Sequence, residues 1–326
     1  MKLPVHLLLF LTLMMCGEQA FPQRILEQYE PAKNDSLRIG TGDDDFLAFI
    51  QRGYTLMLPN EQPIKGVLIF LEDSGYDKKN RNAQQLYPQA AEAGFAVLSV
   101  STEVPFDFYF TEASLASTHA QVQEAFSKHN LSNEHVFFLG ASLVGHRAMK
   151  YIEYVRAGDH AFTPNIAGIV ICNFTLDWTR KWRQHERDIR LNRIDLWEPR
   201  FMNYMLETHL GGTPRTTPEK YHEFSSYSYF DPTNRNIDTY KNYAVRAYTE
   251  PAIKYRLKKY HRTLYENNAT DIVGFLAELS LAGNDNTELI VIQPEDNPSP
   301  KKNAQATWDA IDKDELMEWI LRQTER

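Results

Sequence analysis

Apolar residues in this chain form short, nearly continuous runs, separated mostly by stretches with helical character. The runs are rich in β-branched and aromatic residues, which favour strands. They lie at residues 54–58, 67–71, 95–100, 136–139, 166–171, 243–248 and 289–292. Short apolar strands of this kind are typical of a parallel sheet covered on both faces. Their alternation with helices predicts an α/β fold with a doubly wound, mostly parallel sheet.

One long segment, residues 177–240, interrupts this alternation. It carries many charged residues and many aromatic residues. Among the aromatic residues are Trp178, Trp182, Trp197, Tyr204, Tyr221, Tyr227 and Tyr229. The segment is predicted to be a helical lid inserted between two strands. Aromatic residues at helical spacing are more often core than cofactor site, so we expect them to form the core of the lid.

The N-terminal residues have the layout of a secretory signal peptide, with Lys2 before an apolar run and polar residues after it. We expect residues 1–20 to be removed on export to the periplasm or the extracellular space, leaving no transmembrane segment. Cys16 resembles the acceptor of a bacterial lipoprotein signal, but Met15 precedes it instead of a small residue, so lipid anchoring is the less favoured alternative. Residues 21–52 are predicted to be an export linker and lead-in to a domain of residues 53–326.

Composition and charge favour one large domain and narrow the classes of partner. The chain has 326 residues, of which 43% are hydrophobic, enough for a full core. Its 35 Lys and Arg against 43 Asp and Glu give a net charge of −8, with no basic stripe, so a nucleic-acid partner is not expected. No phosphate-binding loop and no zinc-like Cys or His spacing occurs, so neither a cofactor nor a metal is predicted. Once the signal is removed, Cys172 is the only cysteine, so no internal disulfide is expected.

The most specific feature is a serine between a predicted strand and a predicted helix, in Val136-Phe-Phe-Leu-Gly-Ala-Ser-Leu-Val-Gly-His146. In a nucleophile elbow the residues two before and two after the serine are small, so that strand and helix can approach. Gly140 meets the first requirement, whereas Val144 occupies the second position and Gly145 comes one place late. We therefore expect Ser142 at the nucleophile position of an elbow that is distorted or propped open by Val144. A glycine-bearing turn that includes Ser142 by chance is the alternative.

With this turn the chain resembles the α/β-hydrolase superfamily, and more closely its exported esterase-like or dipeptidyl-peptidase-like members. The resemblance covers residues 53–326. Its other segments are Gly66-Val-Leu-Ile-Phe-Leu71, Phe174-Thr-Leu-Asp-Trp178, Gly211-Gly-Thr-Pro214, Ser226-Tyr-Ser228, Tyr248-Thr-Glu-Pro251 and Trp308 to Trp319. It implies an α/β-hydrolase-type sheet with a lid, a backbone oxyanion hole, an acid after the sixth or seventh strand, and a histidine after the last strand.

The resemblance places the oxyanion donors at the backbone N–H of Leu143 and of Ser74 or Gly75. Glu72 and Asp73 beside that loop would oppose a developing negative charge, unless they are solvated loop carboxylates.

The acid expected by the resemblance is missing, because Ala252 stands where the pattern has an aspartate. Glu250 or Asp177 could replace it. Each of these carboxylates is more often an ordinary surface or helix-capping residue, so both are weak candidates.

The base is also missing, since none of the ten histidines follows the last predicted strand. Where relatives carry it, this chain has Gln305-Ala-Thr-Trp308. An exposed Lys301-Lys302 pair would have to be strongly desolvated to act as a base. His146 should point beside its helix instead of back to Ser142. The remaining candidates are three lid histidines, which are His185, His209 and His222.

Two functions are compatible with these residues. The first is an exported α/β-hydrolase-fold protein with a degenerate Ser-His-Asp triad and lost or much reduced activity, which keeps a lidded cleft for a small-molecule, acyl or peptide ligand. The second is an active serine carboxylesterase or peptidase that uses Ser142, a non-standard acid and a lid histidine. Removing a triad member leaves an acceleration of only about 10³ to 10⁴ over water, which favours the first. A structural scaffold without a pocket is a third alternative.

Overall fold

The computed structural model describes residues 23–31, 51–60, 63–72, 82–101, 107–193, 196–293, 299 and 302–325. Their strands form one eight-stranded sheet in the order β1-β2-β4-β3-β5-β6-β7-β8. The strands are β1 Gln23–Pro31, β2 Gln51–Pro59, β3 Gly66–Glu72, β4 Phe95–Ser101, β5 Val136–Ala141, β6 Ile166–Cys172, β7 Ala244–Thr249 and β8 Thr287–Val291. Strands β1 and β2 pair antiparallel with their neighbours, and the other six run parallel.

Helices in the described residues connect the strands. They are α1 Tyr87–Ala93, α2 Glu112–His129, α3 Leu143–Ala157, α4 Trp178–Arg190, α5 Trp197–Leu210, α6 Pro218–Phe224, α7 Ile237–Tyr240, α8 Ile253–Tyr260, α9 Asn268–Leu281, α10 Ala304–Asp309 and α11 Lys313–Thr324. Short 3₁₀ turns lie at Ala83–Leu86 and Leu264–Glu266. None of these helices combines the length and the hydropathy that crossing a bilayer requires.

Each face of the sheet has its own apolar core. Alternate residues of β3 point to opposite faces, with Ile69 in one core and Phe70 in the other, as strand geometry requires. Helices α2, α3 and α9 cover the first face, and α1, α10 and α11 cover the second. The doubly wound, mostly parallel α/β sheet predicted from the sequence is therefore confirmed. Each of the seven predicted strands is present within a few residues.

The N-terminal domain boundary needs a correction. Residues 23–31, predicted to be part of an export linker, form the edge strand β1, which pairs along its whole length with β2. The strand lacks a continuous apolar run because it has a neighbour on one side only, and Ile25 is 49% exposed. The predicted signal peptide and Cys16 lie outside the described residues.

Residues 177–240 hold four helices, α4 to α7, between β6 and β7, and we call this segment the β6–β7 insertion. A third apolar cluster, which we call the insertion cluster, joins it to the rest of the fold. The cluster consists of Phe108, Trp178, Trp182, Leu206, Tyr221 and Phe224. Tyr227 joins the main core instead, while Trp197, Tyr204 and Tyr229 are exposed. Of these seven residues, three therefore form a core of the insertion as expected, Tyr227 is buried in the main core, and the other three are exposed, against the expectation.

Candidate active site

Ser142 lies in a sharp turn between β5 and α3, at the carboxyl end of the parallel strands. Its backbone has φ 54° and ψ −132°, a conformation that costs energy in a residue other than glycine. The backbone N–H of Ser142 donates to the carbonyl of Cys172 at the end of β6. The serine side chain is exposed, and no described residue forms a hydrogen bond with its hydroxyl. The turn therefore presents the hydroxyl to solvent at the carboxyl end of the sheet, as a nucleophile elbow does.

The expectation that Val144 distorts the elbow or props it open is wrong. A Cβ at Gly140 would lie 2.6 Å from the backbone nitrogen of Gly145, so strand and helix are in close contact. A Cβ at Gly145 would lie 2.4 Å from the ring of Phe174 and 2.8 Å from the carbonyl oxygen of Gly140. Gly145 thus provides the second small position, and the half-buried Val144 packs against the core of the second sheet face.

Of the predicted oxyanion donors, Leu143 lies among the described residues. It is the first residue of α3, where a backbone N–H has no acceptor within its own helix. Ser74 and Gly75 lie outside the described residues, so their predicted role stays a prediction.

The alternative that Glu72 is a solvated loop carboxylate is wrong. Its side chain is 5% exposed, and it accepts hydrogen bonds from the hydroxyl of Ser99 and from the backbone N–H of Ala83 at 3.3 Å. The carboxylate fixes the end of β3 to β4 and to the turn before α1. Its partners, Ser99 and Ala83, lie in a neighbouring strand and a turn, so the spacing of residues in the sequence does not reveal these hydrogen bonds.

Asp177 is a buried capping residue at the start of α4. One carboxylate oxygen accepts the backbone N–H of Arg180 at 2.9 Å, and the other accepts that of Tyr229 at 3.0 Å. Burial, together with the charge of Asp271, raises the pKa of Asp177 to about 6. Because both oxygens bind backbone amides, Asp177 joins the start of α4 to the segment that follows α6.

Glu250 directly follows β7 and forms an ion pair with a residue that follows β8. Lys302 Nζ lies 3.1 Å from Glu250 Oε1, and the side chains of the glutamate and the lysine are 1% and 13% exposed. The expectation of a solvated lysine is therefore wrong for Lys302, and Lys301 lies outside the described residues. Ala252, at the expected acid position, has φ 42° and ψ 44° and precedes α8. Sequence reasoning missed this pairing because 52 residues separate the partners.

His146 lies one turn into α3, away from the Ser142 hydroxyl. Its Nδ1 accepts the indole N–H of Trp178 at 3.3 Å, and its Nε2 lies 3.1 Å from the carbonyl oxygen of Phe108. A neutral ring with hydrogen on Nε2 satisfies both contacts. Burial, helped by the charge of Lys150, lowers the pKa of His146 well below its ordinary value. Both nitrogens therefore hold the insertion cluster against the sheet.

The three histidines of the β6–β7 insertion differ in accessibility. His185 is 1% exposed, and its Nδ1 donates to the side-chain oxygen of Asn203 at 3.1 Å; burial lowers its pKa well below the ordinary value. His222 is 7% exposed, and no described residue forms a hydrogen bond with its Nδ1. His209 is exposed, and its ring stacks on Phe110 with 4.4 Å between centroids. His209 is therefore the accessible histidine of the insertion.

Among the described residues, no cluster of His, Cys, Asp and Glu suits a metal ion. Cys172 is buried at the end of β6, where burial raises the pKa of its thiol. The thiol is therefore a packing group and not a nucleophile.

Neither a protein-family model nor a curated protein sequence matches the chain. Solved structures do match it at low identity. An acylaminoacyl peptidase of Pyrococcus horikoshii is similar at 12% identity and a TM-score of 0.57, over 100% of this chain. This chain spans 44% of the length of that peptidase. Two fungal esterases of Rhizomucor miehei were solved together, and the matching chain is 13% identical with a TM-score of 0.54, over 94% of this chain and 84% of that one.

A hormone-sensitive lipase from a metagenome library is also similar, at 13% identity and a TM-score of 0.51, over 99% of this chain and 93% of that one. Likenesses at this identity establish the α/β-hydrolase fold. The same fold carries many activities, so function must be argued from the site.

Proposed function

We propose that this chain is an exported α/β-hydrolase-fold protein that binds a small-molecule, acyl or peptide ligand beside Ser142 and has lost all or most serine-hydrolase activity. The observation that carries the proposal is the ion pair of Glu250 and Lys302. The pair lies at the carboxyl end of the sheet, where a serine hydrolase of this fold places its acid and its base.

The ion pair is unsuited to general-base catalysis. A histidine accepts the serine proton through a neutral ring nitrogen, whereas an ammonium group has three donors and no acceptor. The ammonium group of Lys302 lies 3.1 Å from Glu250 Oε1. It therefore offers no lone pair to the proton of Ser142 while it remains paired with Glu250.

The buried histidines do not replace the missing base. His146 uses both ring nitrogens and His185 uses its Nδ1 in hydrogen bonds inside the protein, and no described residue, histidines included, forms a hydrogen bond with the Ser142 hydroxyl. A base must lie within hydrogen-bond reach of the nucleophile. Without one, backbone donors and binding supply an acceleration of about 10³ to 10⁴ over water, against at least about 10⁶ for a working enzyme.

The features that remain suit binding. Ser142 is exposed, the helix-starting N–H of Leu143 lies beside it, and the insertion cluster packs against the Leu143 side chain. A ligand at Ser142 would thus meet one hydroxyl, one amide and an apolar wall. A small number of polar groups at an apolar surface is typical of a ligand site.

The test is covalent labelling with a fluorophosphonate probe, which reports an activated serine. We expect no labelling of the wild-type protein above that of Ser142→Ala, and no turnover of short activated esters. The matched gain-of-function variant is Lys302→His, which places an imidazole against Glu250 and should raise Ser142 labelling above the wild type. Rapid wild-type labelling that Ser142→Ala abolishes would show that the proposal is wrong.

One observation favours a second function, an active serine carboxylesterase or peptidase. His209 is exposed and stacks on Phe110, which packs against the same cluster as Leu143. It is therefore the described insertion histidine best placed to approach Ser142 when a ligand binds. Under this alternative, wild-type labelling is rapid and is lost in His209→Ala and in His209→Phe alike.

A further inference from the structure

Three rings form a continuous stack from the insertion cluster to the surface. Phe224, at the end of α6, is 6% exposed and stacks on Phe110 with centroids 4.6 Å apart and planes at 17°. Phe110 then stacks on His209 with centroids 4.4 Å apart and planes at 4°. Exposure increases along the stack, because Phe110 is half-buried and His209 is exposed. The stack therefore ends on a ring that lies at the surface.

The outer face of His209 is the accessible end of this stack. Phe110 covers one face of the imidazole, so the exposed surface of the ring belongs to its other face and its edges. No described residue forms a hydrogen bond with this ring, so hydrogen bonding does not fix its orientation; stacking on Phe110 does. Phe110 in turn packs against Phe108, with ring centroids 5.4 Å apart, and against Phe224. A preorganised planar surface of this kind binds a ring at low entropic cost.

The stack and the serine lie at the rim of one cluster. Leu143 follows Ser142, Leu210 follows His209, and both leucines pack against the insertion cluster. A ligand that lies along this cluster from the Ser142 side would meet the face of His209.

We infer that the outer face of His209 is a stacking platform for an aromatic ring of the ligand held beside Ser142. This rests on the proposed ligand-binding function and names the class of ligand, which is an aryl ester or a peptide or acyl group with an aryl side chain. The rings of each pair already in the stack are nearly parallel, and aromatic pairs favour offset-parallel arrangements of this kind. A third ring would continue that arrangement.

Phenyl acetate and cyclohexyl acetate separate stacking from simple apolar burial. The two probes have the same carbon number, and the cyclohexyl group has the larger apolar surface, so the hydrophobic effect alone favours it. Titrations followed by NMR would use the Ser142→Ala protein, which removes the hydroxyl that could react with either ester. We expect phenyl acetate to bind about 3- to 10-fold more tightly, with upfield ring-current shifts of its protons.

Variants at position 209 then assign the preference to the ring. His209→Ala should weaken phenyl acetate about 3- to 10-fold and leave cyclohexyl acetate nearly unchanged, whereas His209→Phe should keep the preference. Tyr204→Ala is the matched control, because Tyr204 is a 66% exposed aromatic residue of the same helix α5. Equal binding of the two probes, or a preference that survives His209→Ala, would overturn the inference. A methyl glucoside that binds more tightly than phenyl acetate would also overturn it, in favour of a sugar ring.

The test stays separate from that of the proposed function. A reactive Ser142 in the wild-type protein would refute the lost activity without changing the probe preference of the Ser142→Ala protein. A missing probe preference would refute the platform without creating a base for Ser142.

Discussion

The two ends of the candidate site keep different parts of a serine hydrolase. At the end of β5 the close packing around Ser142 is present, because Gly140 and Gly145 bring strand and helix into contact. At the ends of β7 and β8 the side chains differ, and an ion pair of Glu250 and Lys302 occupies the place of acid and base. The glycines are required by packing whether or not the serine reacts, whereas the acid and the base are required only by turnover.

We expect the Glu250–Lys302 pair to contribute to the stability of the folded protein. Lys302→Met removes the ammonium that faces a carboxylate only 1% exposed, and breaking such a buried pair costs about 3 kcal/mol. Unfolding by urea would measure the loss.

The double variant Glu250→Gln with Lys302→Met is the control for this effect, because it removes both charges and should recover most of the stability. Lys254→Met, at an exposed lysine of α8, should have almost no effect. A Lys302→Met protein as stable as the wild type would show that the pair contributes nothing to the fold.

We expect the turn at Ser142 to tolerate a side chain at position 140 poorly. Gly140→Ala places a Cβ 2.6 Å from the backbone nitrogen of Gly145, and backbone can yield only if α3 shifts, so we expect a loss of about 2 kcal/mol. At Gly168 the nearest atom to such a Cβ is in the ring of Phe137, at 3.0 Å, so Gly168→Ala should cost less. The comparison is measured as the difference in unfolding free energy of the two variants. Equal losses of unfolding free energy in the two variants would show that the contact at Gly140 is no tighter than the contact at Gly168.

The third prediction uses the titration of Asp177, which caps α4. Its folded pKa of about 6 is raised above the ordinary value of 3.8, so its contribution to stability is complete below about 3.8 and is lost as pH rises through about 6. Between pH 7 and pH 5 the wild type should therefore gain about 1 kcal/mol relative to Asp177→Asn.

Asp231→Asn is the matched control for this titration. Although burial raises the pKa of Asp231, hydrogen bonds from Thr233 and Arg235 lower it to about 2. Its contribution is present above about 3.8 and is lost as pH falls through about 2, so no difference from the wild type should develop between pH 7 and pH 5. Unfolding free energies measured at both pH values test the two residues together. A pH-independent difference between the wild type and Asp177→Asn would contradict the assignment.

How much of the fold could be predicted depends on the range of the interaction. The seven apolar strands and the turn at Ser142 are local patterns, readable from the sequence. Strand β1 could not be predicted, because its partner β2 and not an apolar run makes it a strand.

In the site, the missing histidine could be read directly, but the contacts that replace it could not. The pairing of Glu250 with Lys302 and the contact of Asp177 with the amide of Tyr229 join residues about fifty positions apart. Burial raises the pKa of Asp177, and burial follows from packing that single residues do not reveal. Gly145 shows the same limit at short range, since its contact with Gly140 depends on how α3 leaves the turn.

The smallest expected effect concerns Ala252, where the comparison between the two ends becomes sharpest. The expected carboxylate is absent, yet the backbone at Ala252 has φ 42° and ψ 44°, a left-handed conformation that costs an alanine about 1 kcal/mol or more. Asparagine tolerates this conformation better, so Ala252→Asn should stabilise the protein by about 0.5 kcal/mol, whereas the β-branched Ala252→Val should destabilise it. Unfolding free energies of the two variants test this order. If Ala252→Asn were no more stable than Ala252→Val, the left-handed backbone at this position would be wrong.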